Sequence, residues 1–307
     1  MLDFAFCDFI NNKLYNVYIV NYDNILNSFY IYFIVLFILF FVEVISLGFS
    51  NSSIGTLLIN PKKSDLIDVV YFLLIVTNLL VIISPIVSLG IPYFFGKGIR
   101  SLLNFEFGSK YFNSFIHFTI FTILLDFFNY WQHRLMHRFE FLWKIHKVHH
   151  SAKNFNLITV FREHPLDHAL NSITVSIPIG IIGYPPENFV LIYVILLSIA
   201  YLKHGKILYK WGFIGKYIFQ SPYYHFLHHS DDKKYYNSNF ANNFIIWDHI
   251  FGTFRDFNES IDNLRIGIVS DPILKMNFIE SFCYTFKSVF NEIYIRLIIF
   301  KSIFIKK

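Results

Sequence analysis

The chain has 307 residues, 55% of them hydrophobic and 15% charged, with a formal net charge of +5 and a mean hydropathy of +0.47. Soluble domains carry about a quarter charged residues, so the deficit points to a bilayer. No dense Lys/Arg stripe is available to neutralise phosphates, which argues against nucleic acid as a partner. Cys7 and Cys283 are far apart and form no CxxC, so neither a disulfide framework nor a thiolate zinc site is indicated.

The first 28 residues are mixed, interrupted by Asp3, Asp8, Lys13 and Asp23, and show no cleavable signal pattern. Three apolar runs follow, each long enough to cross a hydrocarbon core about 30 Å thick. Phe29–Phe49 is broken only by Glu43, Leu66–Leu89 carries Asp68 and Pro85, and Tyr111–Trp131 carries His117 and Asp126. Two shorter runs, Leu166–Tyr184 and Glu187–His204, meet at Pro185-Pro186 and read as a hairpin whose ends emerge on one side. Parity places Ser50–Asp65, Gln132–Pro165 and Gly205–Asn277 together. That side holds Lys62, Lys63, Arg134, Arg138, Lys144, Lys147, Lys153 and Arg162, so the positive-inside rule makes it cytosolic. Phe278–Lys307 alternates apolar and basic residues and predicts an interfacial amphipathic helix. The expected fold is all-α, a multi-pass membrane helical bundle with a cytosolic helical cap.

The chain has 13 histidines, and eight fall into three clusters: His133-x3-His137, His146-x2-His149-His150 and His225-x2-His228-His229. On a helix, spacings of three and four put side chains on one face. Each cluster therefore projects two or three imidazoles towards one point, and all three lie on the cytosolic side. A tetrahedral zinc needs four ligands. Eight imidazoles suit two metal ions instead, though imidazole binds iron, zinc, copper and nickel and does not name the metal. Asp126 lies two helical turns before His133. Acids within a membrane are costly and usually functional, so a hydrogen bond to a ligand is its expected role. His117, roughly 24 Å from His133 at about 1.5 Å per residue, reads as a satisfied core residue. His168 and His249 are expected to make structural hydrogen bonds, and Trp247–Thr253 to form a packing and turn element with Gly252 supplying backbone freedom. No GxGxxG or P-loop is present.

The three boxes make the chain resemble the fatty acid hydroxylase/sterol desaturase superfamily of membrane di-iron oxygenases. Arg162-Glu-His164-Pro165-Leu-Asp167, Trp247-Asp248 and Phe251-Gly252-Thr253 are further matches, and the likeness covers roughly Asp126 to Phe254. Together with the hydropathy reading it gives an expected division into an N-terminal membrane region (1–110) with two transmembrane helices, a catalytic domain (111–260) that the likeness supplies, and an amphipathic tail (261–307). It adds His204 as a ligand. Some fatty-acid hydroxylases carry another histidine where this chain has Ala200, which makes His164 a candidate for the tenth ligand. Asp167, where family members often carry Glu, is expected to hydrogen-bond an imidazole and fix its tautomer. The resemblance further implies two iron ions, O2 as co-substrate, a separate electron donor, and a lipid substrate reached from the bilayer. Hydroxylation is favoured over desaturation, and the short first box resembles the sterol-modifying and alkylglycerol-cleaving branches. The competing readings are a membrane zinc hydrolase, disfavoured because no Glu stands beside a box in the HExxH manner, and a non-catalytic lipid-binding relative.

Overall fold

The computed structural model describes residues 22–77, 79–103, 113–183, 190–257 and 264–305. Among these the chain is helical, with two isolated β-bridges, Phe219 with Phe244 and Ser230 with Ile266, as the extended pairing. The residues before 22 and the Pro185-Pro186 junction lie outside the described residues.

Helix α1 (Tyr22–Leu47) contains the apolar run Tyr30–Leu47, long and apolar enough to cross a membrane. One face buries Val35, Leu36 and Leu39 against Leu157, Ile158 and Tyr201. Its opposite face leaves Phe37 73%, Phe41 60% and Ile45 69% exposed. A contiguous aromatic and aliphatic face of that kind is costly in water and matched to lipid. Glu43, the single interruption of the run, is fully buried and is a structural receptor. Its carboxylate accepts the backbone N–H of Ser53 and of Lys206, both at 2.7 Å. Gly205 is required beside it, because a Cβ there would sit 2.8 Å from both the Glu43 Oε1 and Leu157.

The run Leu66–Leu89, expected as one span, folds as two helices, α3 (Lys63–Val76) and α4 (Leu79–Val87), after the short α2 (Ser53–Ile59). Thr77 ends α3, donating its N–H to Leu73, and Pro85 inside α4 removes an intrahelical donor. Helices α5 (Ile91–Leu103), α6 (Ser114–Arg138) and α8 (Pro165–Ile182) pack side by side. Asn113 caps α6, its side chain accepting the Ile116 N–H.

The cap is built on the end of α6. Phe139 adopts an extended conformation, and α7 (Glu140–His150) restarts at once in a new direction. A 3-10 turn (Leu157–Phe161) leads into α8, and α9 (Val190–His204) returns to the cap. After the short α10 (Gly212–Tyr217), Ser221 and Pro222 start α11 (Pro222–His228), every residue of which is buried. Beyond α12 (Ile246–Ile250), the long α13 (Phe278–Ile305) docks on α7, with Lys144 and the mid-helix Glu292 2.9 Å apart. Its second half exposes Tyr294, Leu297 and Phe300.

Arg162 ties the cap to the helical bundle. It is 1% exposed and pairs with Asp68 of α3 at 2.6 Å, while also donating to Ser151 and Ser64. Asn156 and Thr159 saturate the other Asp68 oxygen at 2.9 and 2.8 Å. The Arg-x-His-Pro segment is thus anchored by its arginine through a fully hydrogen-bonded buried pair, the condition under which such pairs are tolerated.

Candidate metal centre

Nine histidines converge in the cap as two adjoining groups. His133, His137, His146, His150 and His228 form one, and His149, His204, His225 and His229 the other; within each group one ring nitrogen per residue lies within 4.8 Å of all the rest. All eight box histidines are included, and so is His204 from the end of α9. Helix periodicity explains the sorting. His146 and His150 are one turn apart on α7 and face the first group, while His149 is rotated towards the second. The rings of His150 and His229 stack at 4.1 Å where the groups meet.

Hydrogen bonds fix how the rings point. The Nδ1 of His133 lies 2.8 Å from the Phe240 carbonyl oxygen, that of His228 2.9 Å from Ser238 and that of His204 3.1 Å from Ala200. A carbonyl cannot donate, so each Nδ1 carries the proton and each Nε2 turns a bare lone pair inward. His146 achieves the same with a carboxylate, its Nδ1 lying 3.1 Å from the Asp167 Oδ2. The Nε2 atoms of His133, His146 and His228, and both ring nitrogens of His229, are buried with no hydrogen-bond partner. With its proton on Nδ1, His204 turns its Nε2 lone pair towards the Nε2 atoms of His225 at 2.9 Å and His149 at 3.2 Å.

Burial first, then the neighbouring imidazoles, hold His133, His137, His149, His150, His225, His228 and His229 well below the usual histidine value. Burial alone pushes His146 down to about 3. These rings are neutral at pH 7, the ligand form of imidazole. Neutral ring nitrogens enclosed in this way, those of His133, His146, His228 and His229 with no partner, are costly as they stand, and cations at the centres of the two groups would satisfy them. The donor set is all nitrogen, which fits iron, zinc or copper and not calcium or magnesium.

Other expectations are corrected in detail. His164 belongs to neither group. It caps α8, its Nδ1 accepting the Leu166 N–H at 3.2 Å, and its Nε2 donates to the Phe282 carbonyl at 3.3 Å. Both nitrogens are spoken for, with the ring packed against Phe282 and Phe286, so the tenth-ligand candidate is a helix cap. Asp126 touches no imidazole. Its oxygens accept the N–H groups of Asn243 and Phe244 at 2.9 Å and the Trp247 indole at 3.0 Å, tying α6 to the loop after Phe240. His117 is buried, but its Nε2 has no hydrogen-bond partner among the described residues, so it is not satisfied as expected. His249 donates from Nε2 to the Lys216 carbonyl at 2.7 Å, a structural contact as expected.

Asp248 and Glu163 emerge as residues whose importance the sequence pattern did not convey. Asp248 is fully buried and accepts from the N–H groups of Phe240 and Ala241, each at 2.8 Å, and from the Thr253 hydroxyl at 2.6 Å. It thereby sets the peptide whose carbonyl orients His133. Glu163, bonded to Asn171 at 3.2 Å, has its carboxyl pushed up to about 8 by burial and by the nearby Asp167. Both positions lie in motifs singled out in the sequence, Trp247-Asp248 and Arg162-Glu-His164-Pro165, but neither motif conveys what the carboxylate touches.

Aromatic rings close the nest. Phe155 packs on His204 and His229, Phe240 on His133 and His137, and Trp143 on His137 and His150, all with centroids 5.0 to 5.6 Å apart. A cavity of about 330 Å³, lined in part by His137, Trp143, His150, His228 and Tyr236, reaches the first group.

Fold and site together define an all-helical protein built around a buried nest of nine imidazoles. Residues 118–253 match the model of the fatty acid hydroxylase family, in line with the superfamily the boxes resemble. Alkylglycerol monooxygenase of Homo sapiens is 31% identical over 137 residues, 45% of this chain and 30% of that protein. The ornithine lipid hydroxylase OlsE of Rhizobium tropici is 31% identical over 134 residues, 44% of this chain and 40% of that protein. The putative Delta(7)-sterol-C5(6)-desaturase 2 of Arabidopsis thaliana is 29% identical over 154 residues, 47% of this chain and 50% of that protein. The match therefore spans half or less of each of these relatives. No solved structure matches the chain.

Proposed function

We propose that this chain is a membrane-bound di-iron oxidoreductase that uses O2 to hydroxylate a lipid, with electrons from a separate donor and its active site on the cytosolic face. The observation that carries the reading is the division of nine inward-facing neutral imidazoles into groups of five and four. The relatives' names, a monooxygenase and a hydroxylase of lipids among them, support the reaction class. The lipid-matched outer face of α1 supports the membrane setting.

In this reading the first group would hold one iron and the second the other, and the bound metals would supply O2 activation for attack on an unactivated C–H bond. The chain's own contribution is positional. Asp167 and the carbonyls of Phe240, Ser238 and Ala200 keep the Nδ1 protons on four rings, so that the Nε2 atoms of His133, His146, His204 and His228 are available. Phe155, Phe240 and Trp143 exclude water from the nest, which protects a reactive centre from side reactions. The cavity beside His137 and His150 is the route by which small reactants reach the first group.

Oxygen uptake by the purified, iron-loaded protein, with a reductant and an extracted lipid pool, tests the proposal. Uptake that depends on both lipid and iron, with a hydroxylated lipid found by mass spectrometry, is the expected result. Lipid hydrolysis supported by zinc, without oxygen uptake, would replace it with the hydrolase reading.

A further inference from the structure

A second, larger cavity of about 860 Å³ lies on the other side of the nest, between the end of α1, α2 and the cap. Lys62, Lys153, Lys206 and Arg265 line it, against two carboxylates, Asp65 and Asp231. Asp65 is already engaged: it is buried and accepts the Lys62 backbone N–H at 2.9 Å. Among the described residues none of the four cations forms an ion pair. Lys206 is half-buried, its ammonium resting on the Thr56 hydroxyl at 2.8 Å. Burial depresses its pKa, against the opposing pull of the Glu43 and Asp65 carboxylates and with Lys62 adding to the effect.

The cavity is amphiphilic in plan. Its α2 rim carries Ile59, 61% exposed, with Leu58 beside it 68% exposed. Its inner wall includes Phe155, whose ring lies 5.1 Å from His204 and 5.0 Å from His229. A basic chamber with an apolar lip at the end of the membrane-length helix suits a molecule with an anionic head and a hydrocarbon tail.

We propose that this cavity binds the phosphate or carboxylate headgroup of a membrane lipid, held by Lys62, Lys153, Lys206 and Arg265. Binding at this position sets the head one aromatic ring away from the second histidine group. The oxidised carbon then belongs to the headgroup-proximal part of the lipid and not to the chain terminus. That regiochemical part rests on the lipid-oxidation reading, whereas the binding does not.

The test is lipid binding to the full chain in neutral detergent, followed by native mass spectrometry and calorimetry. The probes are a single-chain phosphatidic acid, the monoacylglycerol of the same chain length, and inorganic phosphate. The phosphate-bearing lipid should bind at least about tenfold more tightly than the neutral one, the scale of one charge-assisted hydrogen bond. Lys62→Gln and Lys206→Gln should each weaken it about tenfold, while Lys206→Arg, which keeps the charge, should retain binding and so show that the loss in Lys206→Gln is one of charge and not of fold. Lys233→Gln, exposed and outside the cavity, should change nothing. Metal-stripped protein should bind the lipid equally well, so that a failure of the oxygenase reading leaves this result standing. Equal affinity for the charged and neutral lipids, or no loss in the glutamine variants, would overturn the assignment. Inorganic phosphate binding as tightly as the lipid would reassign the cavity to a free anion.

Discussion

The pairing of Asp167 with His146 offers a test in which the structure sets the size and the location of the effect. The Nδ1–Oδ2 distance is 3.1 Å, with the two side chains 10% and 4% exposed, so water has little access to replace the contact. Losing a carboxylate partner behind a metal-binding imidazole typically costs 10–100-fold in affinity, or about 1.4–2.7 kcal/mol. Asp167→Asn keeps an acceptor oxygen and removes the charge, and belongs at the lower end. Asp167→Ala also strands a buried N–H, a penalty of about 1–3 kcal/mol, and belongs at the upper end. His146 lies in the group of five, so only one of two metals should loosen. Competition with a graded chelator, with metal counted per chain, reads this directly, and a thermal melt checks the fold. Two metals held with unchanged affinity in Asp167→Ala, or both released together, would refute the reasoning.

Asp248→Ala strands three donors at 2.6 to 2.8 Å, so it should destabilise the protein by about 3 kcal/mol or more and loosen the metal held through His133; denaturant melts and metal analysis check both. Arg162→Met leaves the Asp68 carboxylate buried and uncompensated, a loss of about 3–5 kcal/mol. Adding Asp68→Asn should return part of that stability, a non-additivity that paired melts would detect. The metal-free protein should lose stability as pH falls. Its buried histidines have pKa values depressed below the unfolded value of about 6.5, so below that pH the unfolded chain binds protons the folded chain does not. The loss should begin near pH 6.5 and steepen by up to about 1.4 kcal/mol per pH unit for each such ring, continuing for His146 towards its folded value of about 3. A melting temperature flat between pH 7.5 and 5.5 would contradict it.

What the sequence conveyed and what it concealed divide along physical lines. Helical spacing predicts that each histidine cluster shares a face, and the boxes do meet. Spacing alone sends each cluster to one point, whereas the structure splits the second and third boxes between the two groups, His149 apart from His146 and His150, and His228 apart from His225 and His229. His204 is a lone histidine at a helix end and was legible only through the family likeness. The groups that orient the rings are mostly backbone carbonyls, those of Phe240, Ser238 and Ala200, and a carbonyl leaves no signature in residue type. The acids were visible as anomalies in apolar segments, but not their partners. Asp126 and Glu43 stand out for the same reason, and both receive backbone N–H groups from distant parts of the chain. Composition alone made Leu66–Leu89 a span, and the break at Thr77 follows from local capping that hydropathy averages away.

Metal stoichiometry in paired variants tests the central claim most directly. The purified protein should hold close to two iron ions per chain. His137→Ala with His150→Ala should remove one and leave the other, and His204→Ala with His225→Ala should do the reverse, each in protein whose expression and melting behaviour remain near normal. A single metal in the unaltered chain, or the same residual content whichever group is disrupted, would contradict two centres built from five and four imidazoles.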